Sequence, residues 1–437
     1  KEELARALAE KKAAAEALMR WPAEDVMPLV NLAARDKDLN VLRGAVVAVG
    51  RLNPPNALET LMSMLPKVAK DVQSSTGQET LALMADAMVN IERADVLRVL
   101  NEAAQASDPA QRQAVAALLD VKSIPGTEPV VRTLSLDPAL GEEVLDIARG
   151  FVEAQNEPAP ELMEALQALA SPQDVAMRAK VIVATGEMLA VRQEKGMPLS
   201  AGLLGILQNA LKDDRAAIMG IAASALTSVK WQAPTPADDA WLRVASLVGT
   251  QPKANRPVAR VVRPGGISDY ADNMWRTTLA PLGQDAIVPL QHALQTDTTP
   301  LDDYSEGNLA MLHGVAAYAL GELRAAQAVP ALINALAEPE CAFYAAKALG
   351  DIGDASAVEP LCAVLRRPVP EERFAAAEAL GKLKDPRSVQ PLLNALAQEQ
   401  MDQVKGYVAE ALVAIGDASA VPVVNNLLSD KNPNTRI

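Results

Sequence analysis

The stretch Ala345–Leu365, AAKALGDIGDASAVEPLCAVL, decides the fold, because close copies of it precede and follow it. They are AAYALGELRAAQAVPALINAL from Ala316, AAEALGKLKDPRSVQPLLNAL from Ala376 and VAEALVAIGDASAVPVVNNLL from Val408. Val329, Val358, Val389 and Val421 hold one position of the phrase, at intervals of 29, 31 and 32 residues. That is the period of a repeat array in which each unit buries its apolar face against the next. Within a unit, apolar residues return at i, i+3 and i+4, the spacing of a helix with one buried stripe. A first helix is expected to end near Ala-Leu-Gly, with Gly350 or Gly381 able to stop it and Asp354 or Asp385 able to cap the next. The second helix begins Val-x-Pro-Leu, with Pro360 and Pro391 early, where a missing amide costs least.

Working outward, the template fits Val26–Ala34 well, and Ala57–Leu65, Asp95–Ala103 and Ala286–Leu294 in their apolar positions. It fits 129–134, 160–166, 204–211 and 241–247 loosely, which gives about twelve second helices and eleven or twelve hairpins. Half of the 437 residues are apolar and only 3% aromatic, so the core must be Ala, Leu, Val and Ile on closely packed helices. The chain divides by regularity into divergent repeats over 1–249, an irregular region over 250–308 and regular repeats over 309–437.

The four C-terminal units resemble HEAT repeats of the short bacterial kind also found in phycobilin lyases, closely over 314–437 and more loosely before that. The resemblance implies an all-α solenoid whose second helices line one face and whose inter-repeat loops emerge along one edge. It does not imply lyase activity, since one scaffold hosts many functions.

A net charge of -14 argues against nucleic acid as the main ligand, because phosphate binding needs a dense cationic surface. No run of 18 apolar residues offers a membrane span, and residues 1–20 do not read as a signal peptide. Lys1 is not an initiator Met, which fits a processed or truncated start, and DKNPNTRI reads as the opening of another repeat, so the natural chain is expected to continue past Ile437. Only His292 and His313 are present, with no His-Glu pair of the kind that holds iron in HEAT-like hydroxylases. There is no haem-attachment, Walker or Gly-x-Ser-x-Gly motif, so the expectation is a chain without enzyme activity, cofactor or metal.

Three features break the regular pattern. Cys341 and Cys362 are equidistant from one turn, as two small buried hydrophobes or as a disulfide pair across one hairpin. Asn31, Asn101, Asn209, Asn334, Asn394 and Asn426 share one position of the second helix, flanking its apolar stripe. Such amides could bond an extended partner peptide, as Asn ladders do in related armadillo solenoids, or could bridge helices within the array. Two long connections, 250–268 and 296–308, fall on one edge. The first carries Lys253, Arg256, Arg260 and Arg263; the second carries Asp297, Asp302, Asp303 and Glu306, with Tyr270, Trp275 and Tyr304 nearby. They are a candidate docking edge, or else they pair with each other by charge while the aromatics plug a discontinuity. The resulting expectation is a scaffold or adaptor with a protein partner. A ligand-handling factor resembling the lyases, or a structural subunit of a larger bacterial envelope assembly, are the alternatives, with a periplasmic or envelope location favoured over the cytoplasm.

Overall fold

The computed structural model describes residues 23–154, 158–171, 173–249, 269–301, 306–339 and 341–428. The chain falls into two compact units, Lys1–Ile206 and Leu207–Ile437. The architecture is an all-α solenoid of helical hairpins, and the described residues contain helices, turns and one isolated bridge.

The first unit runs α1 (Ala23–Ala33), α2 (Leu39–Leu52), α3 (Ala57–Ala69), α4 (Ser75–Val89), α5 (Arg93–Ala104), α6 (Pro109–Val121), α7 (Glu128–Leu134), α8 (Gly141–Ala154), α9 (Pro160–Leu169) and α10 (Val175–Glu194). Helix α11 (Ala201–Ala210) spans the division between the units. The second unit continues with α12 (Ala216–Ser228), α13 (Pro236–Gly249), α14 (Asp269–Met274), α15 (Ile287–Ala293), α16 (Glu306–Glu322) and α17 (Val329–Ala335). It closes with α18 (Ala342–Ile352), α19 (Val358–Val364), α20 (Pro370–Leu383), α21 (Val389–Gln398), α22 (Asp402–Ile415) and α23 (Val421–Leu428). The odd-numbered helices are the second helices, and the described residues contain twelve, at the places where the repeat pattern puts them.

Even-numbered helices pack on the next even-numbered helix: α2 on α4, α4 on α6 and α6 on α8 in the first unit, and α16 on α18, α18 on α20 and α20 on α22 in the second. Leu349, Leu361, Leu380 and Leu392 are fully buried between them. Burying each contributes roughly 1.5–3 kcal/mol before the entropy of ordering is charged against it.

The turn chemistry differs from expectation in one respect. Gly350 and Gly381 do not stop their helices; both are buried inside them. A Cβ built on Gly350 would lie 2.7 Å from Ala379 Cα, one on Gly381 2.9 Å from Ala411 Cα, and one on Gly321 2.7 Å from Ala348 Cα. The Gly of each Ala-Leu-Gly therefore receives the Ala of the following first helix, and the missing side chain lets two backbones touch. The helices are capped three residues later, at Gly353 and Lys384, whose φ of 83° and 53° close a left-handed cap. Asp354, Asp385 and Asp417 then each accept a backbone amide two residues on, capping a 3-10 turn that runs straight into the second helix.

Aromatic rings fill a second seam between the same helices. Phe343 and Phe374 lie seven residues before Gly350 and Gly381, two turns nearer the helix start. Their ring centroids are 5.6 Å apart, edge to face, and Phe374 stacks on Tyr407 of α22 at 4.9 Å. Helices α18, α20 and α22 thus touch at one end and are spaced by rings at the other.

Candidate functional site: the loop edge and the amide row

Cationic side chains near the start of several first helices hold the inter-repeat loops together. Arg373, in α20, donates from Nη1 to the Arg367 and Pro368 carbonyls of the preceding loop at 2.9 Å. Its Nε and Nη2 reach both oxygens of Glu399, in the following loop, at 2.7 and 2.9 Å. Burial pushes the Glu399 carboxyl up, but the Arg373 contact and two backbone amides outweigh it and hold the group below its ordinary value. Arg112, in α6, makes the same connection from the Ala106 carbonyl at 2.7 Å to Asp137 at 2.6 Å. His313 stands eight residues before Gly321, as Arg373 does before Gly381, and bonds the Thr296 carbonyl at 2.9 Å and Glu338 at 2.6 Å. The signal in the sequence was Pro-x-x-Arg at 109–112 and 370–373; sequence reasoning missed it because the partners lie about 25 residues downstream.

The irregular edge is organised by Arg215 and Asp297. The segment at Asp297 pairs with residues 214–216 as a short parallel bridge, in which the Asp297 amide donates to the Asp214 carbonyl at 2.8 Å and the Ala216 amide to the Asp297 carbonyl at 3.1 Å. Arg215 reaches Asp297 Oδ2 at 2.6 Å and the Thr299 carbonyl at 3.1 Å. The Asp297 carboxyl is held below its ordinary value, first by the Thr299 side chain and amide and then by Arg215. The described partner of Asp297 is thus Arg215. The basic residues of 250–268, among them Arg256, Arg260 and Arg263, lie outside the described residues, as do Tyr304 and the acids Asp302 and Asp303.

The described aromatics near this edge, Trp275 and Trp241, make packing contacts. Trp275 is half-buried against the core of the second unit, at the start of a π-turn that follows α14. Trp241 meets His292 edge-on at 5.2 Å, and Lys212 Nζ lies 5.5 Å from its ring centroid. The Asp213 carbonyl accepts from His292 Nε2 at 2.8 Å. Tyr270 lies on α14, but its side chain is outside the described residues. The Tyr318 hydroxyl donates to Asp272 at 3.2 Å, and burial pushes that phenol well above its ordinary value.

Four amides of the row are exposed, and Asn101 is half-buried. Asn31 in the first unit, and Asn209, Asn334 and Asn394 on the odd-numbered helices that contribute to the second, all face solvent. Two amides have internal partners: Asn101 accepts from Thr133 of the next second helix at 2.7 Å, and Asn394 accepts from Gln390 one turn earlier at 3.1 Å. Asn426 lies in α23, with its side chain outside the described residues.

Both cysteines are free thiols, Cys341 buried at the start of α18 and Cys362 half-buried in α19. Burial pushes the Cys341 thiol far up and raises Cys362 to about 11, so neither is disposed to act as a nucleophile near neutrality. A cleft of about 300 Å³ opens in the first unit among α3, α5 and α6, lined by Met62, Leu65, Pro66, Val99, Ala103 and Ala114 with Glu102 and Gln111. Glu102 is the one carboxylate among these lining residues. Among the described residues, no helix is long and apolar enough to cross a membrane, and no group of His, Cys, Asp and Glu could hold a metal ion.

A sequence profile for HEAT repeats matches residues 329–412, and one for the PBS lyase HEAT-like repeat matches 314–338. No curated protein sequence matches significantly. Among solved structures, a mutant of Kap121p is similar at 15% identity and a TM-score of 0.34, over 99% of this chain and 49% of that one. Kap121p bound to Pho4p is similar at 14% and 0.32, over 97% and 50%. Human deoxyhypusine hydroxylase in complex with glycerol is similar at 18% and 0.25, over 74% and 96%. The chain thus spans about half the length of the Kap121p chains it resembles. Residues 314–412 are thus HEAT repeats, and a helical hairpin of the same kind recurs within each unit.

Proposed function

We propose that this protein is a non-catalytic scaffold that binds a partner protein through the second-helix face, where the exposed amides stand. The carrying observation is that Asn209 and Asn334 in the second unit, and Asn31 in the first, are exposed and their side-chain amides make no hydrogen bond to another described residue, although they occupy one position of the repeat. An amide offers a donor and an acceptor together, which suits the alternating groups of an extended backbone. The loop edge that Arg215 and Asp297 organise is the second surface available to the same partner. The two histidines are engaged in structural contacts and the two thiols are disfavoured as thiolates, which supports a role without bond-making chemistry.

The test is native co-purification of the full chain, identification of the partner, and titration of that partner against the Asn334→Ala/Asn394→Ala double variant. The expected result is an affinity loss of at least about tenfold with an unchanged melting temperature. Unchanged affinity with lowered stability would return the row to a purely structural role.

A further inference from the structure

His313 stands where other repeats use arginine, and the substitution changes the chemistry of the contact. The side chain is buried, with 8% of its surface exposed, and both ring nitrogens face oxygens. Nε2 lies 2.9 Å from the Thr296 carbonyl, which can only accept, so this bond requires Nε2–H. Nδ1 lies 2.6 Å from Glu338 Oε2, and a carboxylate there likewise requires Nδ1–H. A neutral imidazole has one N–H. It would satisfy one oxygen and turn a lone pair toward the other, so with Glu338 ionised both bonds are made together only by the imidazolium.

We propose that His313 is a protonation-operated latch on the loop edge. As imidazolium it ties the start of the 294–301 connection, at Thr296, to the turn after α17, at Glu338. Loss of one proton frees one of the two. The residue next to Thr296 is Asp297, which carries the bridge to residues 214–216, so release at His313 loosens the segment that joins these loops. Arg112 and Arg373 make the equivalent connection with a guanidinium that keeps its charge at every physiological pH, so those loops are fixed while this one responds.

The described charged and titratable groups around the ring are few. Glu338 faces it directly, with Cys341 just beyond at the start of α18. Asp297 follows Thr296 and is paired with Arg215. Arg367 donates to the Leu336 carbonyl, near Glu338, and is itself paired with Glu372. Only Glu338 contacts the imidazolium. The direction follows from the geometry: both bonds are made while the ring carries two protons, and one is lost with the second proton.

The experiment is amide hydrogen exchange at Asp297 and Ala216, corrected for intrinsic exchange, on the full chain between about pH 5 and 8.5, with His313→Arg and His313→Gln alongside. In the wild type, protection at both amides should fall by about tenfold or more across this range, the equivalent of one charge-assisted hydrogen bond. His313→Arg should hold it high and flat, and His313→Gln should hold it low and flat, with circular dichroism showing both variants folded. A flat wild-type profile overturns the proposal, and so does a fall that persists in His313→Arg, because the titrating group would then be another one. Neither result bears on the partner-binding reading, which this proposal does not require.

Discussion

A methyl group on Gly350 would sit 2.7 Å from Ala379 Cα and 2.9 Å from its Cβ, against helix backbone that cannot rotate away. Gly350→Ala is therefore expected to destabilise the second unit by about 1–3 kcal/mol, read from denaturant unfolding, although alanine is the better helix former. Lys384 carries the opposite prediction. Its φ of 53° places a side-chain residue in the left-handed cap that Gly353 and Gly416 fill elsewhere. Lys384→Gly relieves about 1–2 kcal/mol of strain and adds about 0.5–1 kcal/mol of unfolded-chain entropy. A net gain of roughly 0.5–1 kcal/mol in unfolding free energy is expected. The Ala-Leu-Gly phrase was legible in the sequence, but its meaning was not. A glycine near a helix end reads as a stop, and only the position of the next helix shows that it is a contact.

At the scale of the element, Phe374 connects three helices, touching Phe343 on one side and Tyr407 on the other while 8% exposed. Phe374→Ala should cost about 3–5 kcal/mol, measurable by calorimetry as a lowered melting temperature of the second unit. The Arg373–Glu399 bond predicts an acid limb. Because the Glu399 carboxyl is held below its ordinary value, its contribution is complete above about pH 4.3 and is lost as pH falls through the folded-state value. Glu399→Gln should lower stability at neutral pH and flatten that limb in pH-dependent unfolding. Helices and turns were readable because Ala, Leu and Val recur at helical spacing and Asp marks each cap. The loop-bridging Arg and His side chains were not, since each is defined by oxygens contributed from two different loops. His313 in particular reads as an isolated residue until Thr296 and Glu338 are placed around it.

For the molecule as a whole, a repeat array distributes stability between neighbours. The damage from Gly350→Ala should therefore stay local, with amide protection falling in α16 to α22 and unchanged in the first unit, as hydrogen exchange would show. The apolar template of the regular repeats was enough to place the twelve second helices of the described residues, including those over 204–211 and 241–247 that fit only loosely, because burial repeats more faithfully than residue identity. Less of the candidate site could be read. Asn334 and Asn394 are exposed as their register implies, whereas Trp275 faces the core and Asp297 takes Arg215 as its partner, a contact between loops 82 residues apart. Residue spacing cannot announce a pairing of that range.

The two seams between successive first helices also have a mechanical consequence. Where Gly350 and Gly381 meet the following alanines, backbone lies on backbone; two turns away, the Phe343, Phe374 and Tyr407 rings lie between the same helices. The contact at the glycines leaves less room for displacement than the contact through the rings, so α18, α20 and α22 are expected to hinge at their glycine ends. Bending of this stretch is a rotation about the glycine line, its stiffness set by the rings, and a pull on the array would be stored there as torsion before any helix came apart.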